Sequence, residues 1–314
     1  MKILVIGRGV ISTQYAWTLE KAGNEIEFYV RSKNIEKYGN SINLEIWDAR
    51  NNSKGTLIKE NWPVVFKDEI EIKNDYDLIL VSVNSHQIKD VVKYVFPRVG
   101  RATVLFFNNF WEDPISAIAP IPIQQVVWGF PGAGGGFDKN GTLKGGFFKS
   151  VFFGSFGTDL SKRDIEIRNL FINAGFKISE QKDFRSWLWN HYALNAAMEA
   201  AMIKVGRFKE MFNSYESLAD IGVNIREIIP LLKARGSKID ILTRIFAYTP
   251  PRMLGFVLKN IVFREGSLTN HIMIDNNSKI GYSYRDVLLE ARKFNVSMPI
   301  FENSENLFDK SLFQ

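Results

Sequence analysis

The sequence predicts a doubly wound α/β domain with a mostly parallel sheet, followed by a mainly α-helical domain. Up to about residue 180, short apolar segments alternate with stretches of helical periodicity, which is typical of βαβ units. From residue 184 onward, helical patterns dominate. The length of 314 residues suits two domains. We therefore predict an α/β domain over residues 1–181 and a helical domain over 182–314.

The individual elements follow from the spacing of apolar residues. Short apolar runs predict strands at Ile3–Ile6, Ile26–Val30, Leu78–Val83, Ala102–Phe107, Gln125–Phe130, Val151–Ser155 and Phe176–Glu180. Helical periodicity predicts helices at Thr13–Ala22, His86–Val95 and Lys162–Ala174, over 184–212, and over most of 216–312. The last stretch is expected to break at Pro250-Pro251 and near Gly266.

Composition excludes several classes of protein. There is no cysteine, so the chain has neither disulfides nor thiolate metal sites, and the three histidines lack metal-binding spacing, so we expect no metal. The net charge of +6 is spread along the chain, which argues against a nucleic-acid partner. No signal peptide and no apolar run of about 18 residues is present, so we expect a cytoplasmic protein without a membrane span.

The segment "KILVIGRGVISTQYAW" near the start predicts a dinucleotide-binding loop of the Rossmann type. A strand runs into Gly7, Gly9 and Ser12, a G-x-G-x-x-S motif that opens a helix. Gly7 makes the tight turn and Gly9 lets the backbone approach a pyrophosphate, which faces the helix start at Val10 and Ile11. The third position needs a small side chain, and serine meets that need.

The end of the second predicted strand indicates the cofactor. An NAD site has an acidic residue there for the ribose hydroxyl, whereas this strand ends in Arg31, Ser32 and Lys33. A guanidinium pairs two oxygens of a phosphate, so Arg31 favours the 2′-phosphate of NADP(H).

With these features the chain resembles the ketopantoate reductase (2-dehydropantoate 2-reductase) family over nearly its whole length. The resemblance implies reduction of a small 2-oxo acid by NADPH, and a helical domain similar to that of 6-phosphogluconate dehydrogenase. Asn84 stands where the family has the lysine of V-K-x-x-Q, and Asn108 matches the asparagine of the family's Asn-Gly pair. We assign Asn84 and Asn108 to the cofactor and Asn109, in place of the glycine, to the substrate.

The family's catalytic helix reads K-x-x-x-N-x-x-x-N. Here Trp187 takes the place of the lysine, His191 that of the first asparagine, and Asn195 is retained. The three residues are spaced i, i+4, i+8 and so share one helix face. We expect Asn195 to bind the substrate and assist catalysis, and His191 to donate a proton near neutral pH. The alternative for His191 is a buried structural histidine.

A third family motif, Ser-Met-x-x-Asp followed by Glu eight residues later, lies near the C-terminus. Ser267 is retained as a candidate substrate ligand, while His271 replaces the aspartate and Lys279 the glutamate. Both replacements are further catalytic candidates, and His271 is either an alternative acid or a partner of His191.

Two segments remain. The loop "WGFPGAGGGFDKNG" at 128–141 has six glycines, and we expect a flexible wall of the active-site cleft or, alternatively, an exposed hairpin. The basic, amphipathic stretch 233–264 indicates either packing of the helical domain or a homodimer interface rather than membrane contact.

The sequence as a whole predicts an NADPH-dependent reductase of a small carbonyl substrate of the 2-oxo acid class. Because the family's lysine is replaced, two alternatives stay open: an opine-type dehydrogenase, and an NADP-binding sensor or regulator without turnover.

Overall fold

The computed structural model describes residues 1–157, 159–276 and 280–313. The chain divides into two compact units. The first consists of Met1–Asn108, Glu112–Phe184 and His271–Asn277, and the second of Asn109–Trp111, Arg185–Asn270 and Ser278–Gln314. The α/β part followed by a helical part is the fold class that the sequence predicts.

All strands of the described residues belong to the first unit. They are β1 (Lys2–Ile6), β2 (Glu25–Tyr29), β3 (Ser41–Asp48), β4 (Thr56–Pro63), β5 (Val65–Lys67), β6 (Leu78–Val81), β7 (Thr103–Phe107), β8 (Val126–Phe130), β9 (Ala133–Phe137), β10 (Leu143–Phe147), β11 (Ser150–Gly154) and β12 (Lys177–Gln181). The seven strands expected from the sequence are all present, as β1, β2, β6, β7, β8, β11 and β12.

The larger sheet has the order β12-β11-β8-β7-β6-β1-β2-β5. Its neighbours are parallel except for the antiparallel pair β8 and β11. The central strands β6 and β7 are buried along their whole length and, apart from Thr103, are apolar, as expected for a parallel sheet covered on both faces. Because β1 lies between β2 and β6, the chain reverses its direction of winding there. In such sheets the ligand lies at the carboxyl ends of the strands beside this reversal.

The smaller sheet, β4-β3-β10-β9, was not predicted. Its strand β3 buries Ile42, Leu44 and Ile46, whose period-2 spacing is the typical signal of a half-buried strand. The sequence analysis predicted no element between β2 and β6, and this alternation was overlooked there.

The glycine-rich segment forms a hairpin, in which β9 pairs with β10. The predicted hairpin is therefore present, but only its tip is exposed, and most of the segment is regular strand rather than a loop. Its role as a wall of the active-site cleft stays a prediction. In the antiparallel pair β9–β10, Gly135 faces Gly145, both at positive φ, and a Cβ on either would overlap the facing backbone. A Cβ on Gly134 would lie 2.9 Å from a methyl group of Ile272. The glycines therefore permit close packing rather than mobility.

The helices of the first part are α1 (Val10–Lys21), α2 (Ile35–Tyr38), α3 (Ile88–Val95), α4 (Pro114–Ala117) and α5 (Lys162–Asn173). They are followed by α6 (Phe184–Met202), α7 (Phe208–Phe212), α8 (Tyr215–Ala234), α9 (Ile241–Tyr248), α10 (Pro251–Val257), α11 (Leu268–Met273), α12 (Tyr282–Lys293) and α13 (Pro299–Glu302). The predicted breaks are present, because α10 starts at Pro251 and Gly266 precedes α11 with φ +77°.

Close helix packing organises the second unit. A Cβ on Gly222 of α8 would overlap α9 and α10, and one on Gly255 of α10 would overlap the start of α8. α6 is buried on the face that carries Ala193, Ala197 and Ala200. No helix in the described residues is long and apolar enough to cross a membrane.

Candidate functional site

The glycine loop joins β1 to α1 at the carboxyl edge of the larger sheet. Gly7 has φ +84°, which favours glycine, and its N–H donates to Tyr29 O at 2.8 Å, which ties the loop to the end of β2. A Cβ on Gly9 would lie 3.2 Å from Ser12 Oγ and 3.6 Å from Ser82 O. Both glycines therefore meet backbone requirements of the loop.

Ser12 does more than fill a small space. Its buried hydroxyl accepts a hydrogen bond from Gly9 N at 2.9 Å and donates to Gly7 O at 3.0 Å. A third glycine would leave both groups without this partner. The sequence analysis missed this role, although a hydroxyl three residues after a helix N-cap is a known capping signal.

The start of α1 presents backbone donors. The first N–H groups of any α-helix lack intrahelical partners, and here they belong to Val10 and Ile11 after the N-cap Gly9. The positive end of the helix dipole lies at the same place, so the loop is suited to an anion such as a pyrophosphate.

The tip of β2 carries an exposed cation. Arg31 precedes the turn Ser32–Asn34, and its side chain makes no hydrogen bond or ion pair with any described residue. The acid nearest the tip on the buried side of β2, Glu27, is already engaged, because its carboxylate pairs with Lys67 at 2.8 Å and accepts from Tyr76 OH. It is therefore not free to bind a ribose.

Two predicted cofactor residues follow neighbouring strands. Asn84 precedes and caps the turn Ser85–Gln87 after β6, and Asn108 follows β7. Asn108 Nδ2 donates to Val83 O at 2.6 Å, which joins the two strand ends, while Asn108 Oδ1 is buried without a donor. A ligand N–H or O–H would satisfy this oxygen. Asn109, assigned to the substrate, belongs to the second unit, and its Oδ1 is likewise buried without a donor.

The predicted catalytic face of α6 exists as a half-buried stripe. Trp187, His191 and Asn195 are partly exposed, whereas the intervening Leu188 and Tyr192 are buried. The imidazole of His191 stacks on the indole of Trp187 with ring centres 5.5 Å apart and planes 15° apart. The amide of Asn195 makes no hydrogen bond with the described residues and is a free donor on this stripe.

The pKa of His191 bears on its predicted role as an acid. Burial lowers the pKa of the imidazole to about 4. At this pKa the ring is neutral at pH 7, so it donates a hydrogen bond through its one N–H but does not transfer a proton as an imidazolium would. Proton donation by His191 near neutral pH stays a prediction, and the lowered pKa argues against it. A neutral imidazole still stabilises a developing alkoxide by hydrogen bonding.

The stripe continues to Glu199, a residue that the sequence analysis missed. Glu199 lies four residues after Asn195, and burial raises the pKa of its carboxyl group to about 7. Its Oε2 accepts a hydrogen bond from Tyr284 N at 2.8 Å, in the first turn of α12. Glu199 therefore caps α12 in place of the N-cap residue Gly281, which has no side chain. The four-residue spacing after Asn195 was the available signal.

The C-terminal motif is only partly described. Ser267 Oγ donates to Val262 O at 2.9 Å and accepts from Asn270 N at 3.1 Å, so the hydroxyl caps α11. His271 belongs to the first unit and stacks on Trp47 with ring centres 4.1 Å apart, whereas His191 belongs to the second unit. Lys279 lies outside the described residues.

Comparison with known proteins gives a family. Residues 3–155 match the family model described as ketopantoate reductase PanE/ApbA. No curated protein sequence matches the chain.

Solved structures share the fold over nearly the whole chain. A 2-dehydropantoate 2-reductase from Geobacter metallireducens GS-15 has 15% identity and a TM-score of 0.72, covering 99% of this chain and 100% of its own. A PanE/ApbA family ketopantoate reductase from Ralstonia eutropha JMP134 has 17% identity and a TM-score of 0.66, with coverages of 98% and 97%. D-mandelate dehydrogenase, solved with NADH and anilino(oxo)acetate, has 14% identity and a TM-score of 0.69, with coverages of 98% and 96%.

At these identities the structural likeness speaks for the fold alone. The family model covers the part of the chain that carries the glycine loop, Arg31, Asn84 and Asn108. Residues 3–155 are thus a domain of the ketopantoate reductase family, whose members are oxidoreductases.

Proposed function

We propose that this chain is an NADPH-dependent reductase of a small carbonyl compound of the 2-oxo acid class. The observation that carries the proposal is the glycine loop, whose backbone is held open by Ser12 beside the exposed cation Arg31.

The preference for NADPH rests on charge at the tip of β2. Arg31 is unpaired, and Glu27 is occupied by Lys67 and Tyr76, so the tip attracts a phosphate and has no free acid for a ribose diol. A charge-assisted pair between guanidinium and phosphate contributes about 1.5–3 kcal/mol, or roughly 10- to 100-fold in affinity. NADH is the alternative, because the D-mandelate dehydrogenase relative was solved with it.

Titration of both cofactors tests this preference. The wild type is expected to bind NADPH about 10- to 100-fold more tightly than NADH, and Arg31→Ala is expected to remove most of the difference. Arg252→Ala, which removes an exposed arginine of α10 in the second unit, is the matched control. Equal affinities of the wild type for the two cofactors would exclude the preference.

The chemistry is assigned to the half-buried face of α6. Hydride transfer to a carbonyl leaves charge on the oxygen, and hydrogen-bond donors aimed at that oxygen lower the barrier. The neutral imidazole of His191 and the amide of Asn195 supply such donors. These two donors would take over the role of the family's lysine, which Trp187 replaces in this chain.

The substrate class follows from the family and from one relative's ligand. The matched family is named for ketopantoate reductase, and anilino(oxo)acetate in the D-mandelate dehydrogenase complex carries an oxo group beside a carboxylate. Both point to a 2-oxo acid as the compound that this chain reduces.

Oxidation of NADPH with a panel of 2-oxo acids, with and without amines, tests the activity. Turnover without an amine supports the reductase, and turnover that requires an amine supports an opine-type dehydrogenase instead. The replacement of the lysine by Trp187 favours a second candidate, an NADP-binding protein without turnover. Tight NADPH binding without oxidation by any member of the panel would establish that candidate.

A further inference from the structure

Arg8 lies between the two glycines of the cofactor loop and is held in one position. Its guanidinium carbon lies 4.2 Å from the ring centre of Phe137 on β9 and 4.8 Å from that of Tyr38 on α2. Its Nη2 donates to Gly141 O at 3.1 Å. Two aromatic faces and one hydrogen bond therefore fix the cation beside the loop.

This cation has no counter-ion within the described residues. No carboxylate of that part of the chain lies within ion-pair distance of Arg8, and Arg8 Nε is buried without an acceptor. Burial also lowers the pKa of the guanidinium, which reports the loss of water around it. A desolvated charge without an opposite charge is unfavourable, and an anionic ligand would offset that cost.

The contacts of Arg8 place it on the β2 side of the loop. Gly7 is bonded to Tyr29 at the end of β2, and Tyr38 belongs to the helix that follows the turn after Arg31. In this fold the end of the second strand faces the adenosine ribose of a bound dinucleotide. The pyrophosphate lies instead at the helix start, where the amides of Val10 and Ile11 are available.

We propose that Arg8 binds the 2′-phosphate of the cofactor, as a second cation next to Arg31. The inference rests on the proposed use of NADPH and adds to it a residue that determines cofactor specificity. The phosphate would lie against Nη1 of the guanidinium, because Nη2 is engaged with Gly141 and Nε is buried. The stacking on Tyr38 and Phe137 pre-organises the side chain, so little conformational entropy is lost on binding.

Four variants separate charge from packing: Arg8→Gln, Arg8→Lys, Arg31→Ala and the double variant Arg8→Gln/Arg31→Ala. Arg8→Gln keeps amide donors but removes the charge. We expect Arg8→Gln to weaken NADPH binding by about 10-fold or more and NADH binding by less than about 2-fold. Arg8→Lys is expected to keep part of the preference, since a lysine keeps the charge without the planar fork.

Adenosine 2′-monophosphate and adenosine 5′-monophosphate probe the same contact without a nicotinamide or a pyrophosphate. The wild type is expected to bind the 2′-isomer more tightly, and Arg8→Gln is expected to reduce that difference. In the double variant, a loss of NADPH affinity different from the sum of the single losses would indicate that both cations meet one phosphate.

The outcomes are distinguishable. If Arg8→Gln loses equal affinity for NADPH and NADH, Arg8 contacts the pyrophosphate instead. If it lowers the melting temperature without changing the cofactor preference, Arg8 only stabilises the β9–β10 turn. Either result overturns the inference. If the wild type prefers NADPH but Arg8→Gln keeps the full preference, the inference fails while the proposed function stands. A wild type that binds no NADPH refutes the proposed function itself.

Discussion

The glycine loop and the half-buried face of α6 differ in how closely they follow the family pattern. The loop keeps Gly7, Gly9 and the arginine after β2, with a serine in the third position. The face of α6 keeps only Asn195, while tryptophan and histidine replace the lysine and the other asparagine. The two regions thus differ in that the loop retains most of the family's pattern and the helix face has lost most of it.

The difference reflects what each region requires. The loop has a positive φ at Gly7, and a Cβ at Gly9 would crowd Ser12 Oγ, so few residue types meet its backbone requirements. The face of α6 needs donors near a carbonyl oxygen, and several kinds of side chain meet that need. Replacement on α6 is therefore compatible with a reductase.

Removing the donor on α6 is expected to have the largest effect. His191→Ala should lower kcat by roughly 10²–10³-fold, the usual cost of one lost oxyanion donor, with NADPH affinity almost unchanged. His191→Asn keeps an N–H donor and restores the family's residue, so it should keep much of the rate. Steady-state kinetics combined with cofactor titration measure both quantities.

The pH profile sharpens that prediction. Because burial holds the pKa of His191 near 4, the ring stays neutral across the neutral range, and its protonation should not limit carbonyl reduction between about pH 5.5 and 8. A rate that falls with rising pH through a pKa near 6.5, and that loses this dependence in His191→Asn, would restore the charged-acid role. A fully active His191→Ala would remove His191 from the chemistry altogether.

A side chain at position 9 is expected to have the next largest effect, and this effect is on cofactor affinity. Gly9→Asp adds a side chain toward Ser12 Oγ and a negative charge beside the pyrophosphate, so cofactor affinity should fall by at least about 100-fold. Gly9→Ala, which adds only the Cβ, should lose less. Circular dichroism checks that both variants are folded, and normal NADPH binding by folded Gly9→Asp would show that this is not the cofactor loop.

Loss of the Ser12 hydrogen bonds to Gly7 and Gly9 is expected to have a smaller effect. Ser12→Ala removes the hydrogen bonds to Gly7 and Gly9 and should lower the free energy of unfolding by about 1–2 kcal/mol, with a modest loss of NADPH affinity. Ser12→Gly restores the third glycine of the usual motif but not the bonds, so it should be no more stable than Ser12→Ala. Chemical denaturation compares the three proteins, and a Ser12→Gly variant as stable as the wild type would contradict the bracing role.

The smallest expected effect concerns Glu199. Its pKa is raised to about 7 in the folded protein, so the folded state binds more protons than the unfolded state between about pH 4.5 and 7. Stability from this group is therefore complete below about pH 4.5 and is lost as the pH rises through 7. Glu199→Gln, which is neutral at every pH, should gain melting temperature relative to the wild type on going from pH 5 to pH 8, by about 2–4 °C. If the difference in melting temperature between the two proteins stays the same across that range, the pKa of Glu199 is not raised.

Much of the fold was predictable from the sequence, because its central strands are apolar runs and its helices have clear breaks. The smaller sheet was missed, since Ile42, Leu44 and Ile46 alternate within a polar segment and the glycines of β9 suggested a loop. Glycine there serves close strand contact, which depends on the facing strand and not on local propensity.

The candidate site was predictable to a similar extent. The residues of the glycine loop follow from strand, turn and helix order, and the spacing on α6 gives the shared face. The bonds of Ser12, the unpaired charge of Arg8 and the lowered pKa of His191 depend on three-dimensional surroundings. No spacing rule in one sequence shows desolvation, because the groups that exclude water are distant along the chain.

The separation of cofactor binding from carbonyl chemistry is the central claim, and single-turnover kinetics test it most directly. NADPH is bound to the wild type, Arg31→Ala and His191→Ala at saturating concentration, a 2-oxo acid that the wild type reduces is added, and loss of nicotinamide fluorescence gives the rate of hydride transfer. We predict that Arg31→Ala needs more NADPH to saturate but transfers hydride at nearly the wild-type rate, whereas His191→Ala saturates normally and transfers it about 100-fold or more slowly. Weakened cofactor binding in His191→Ala with a normal rate at saturation, or a slow rate in saturated Arg31→Ala, would contradict the account.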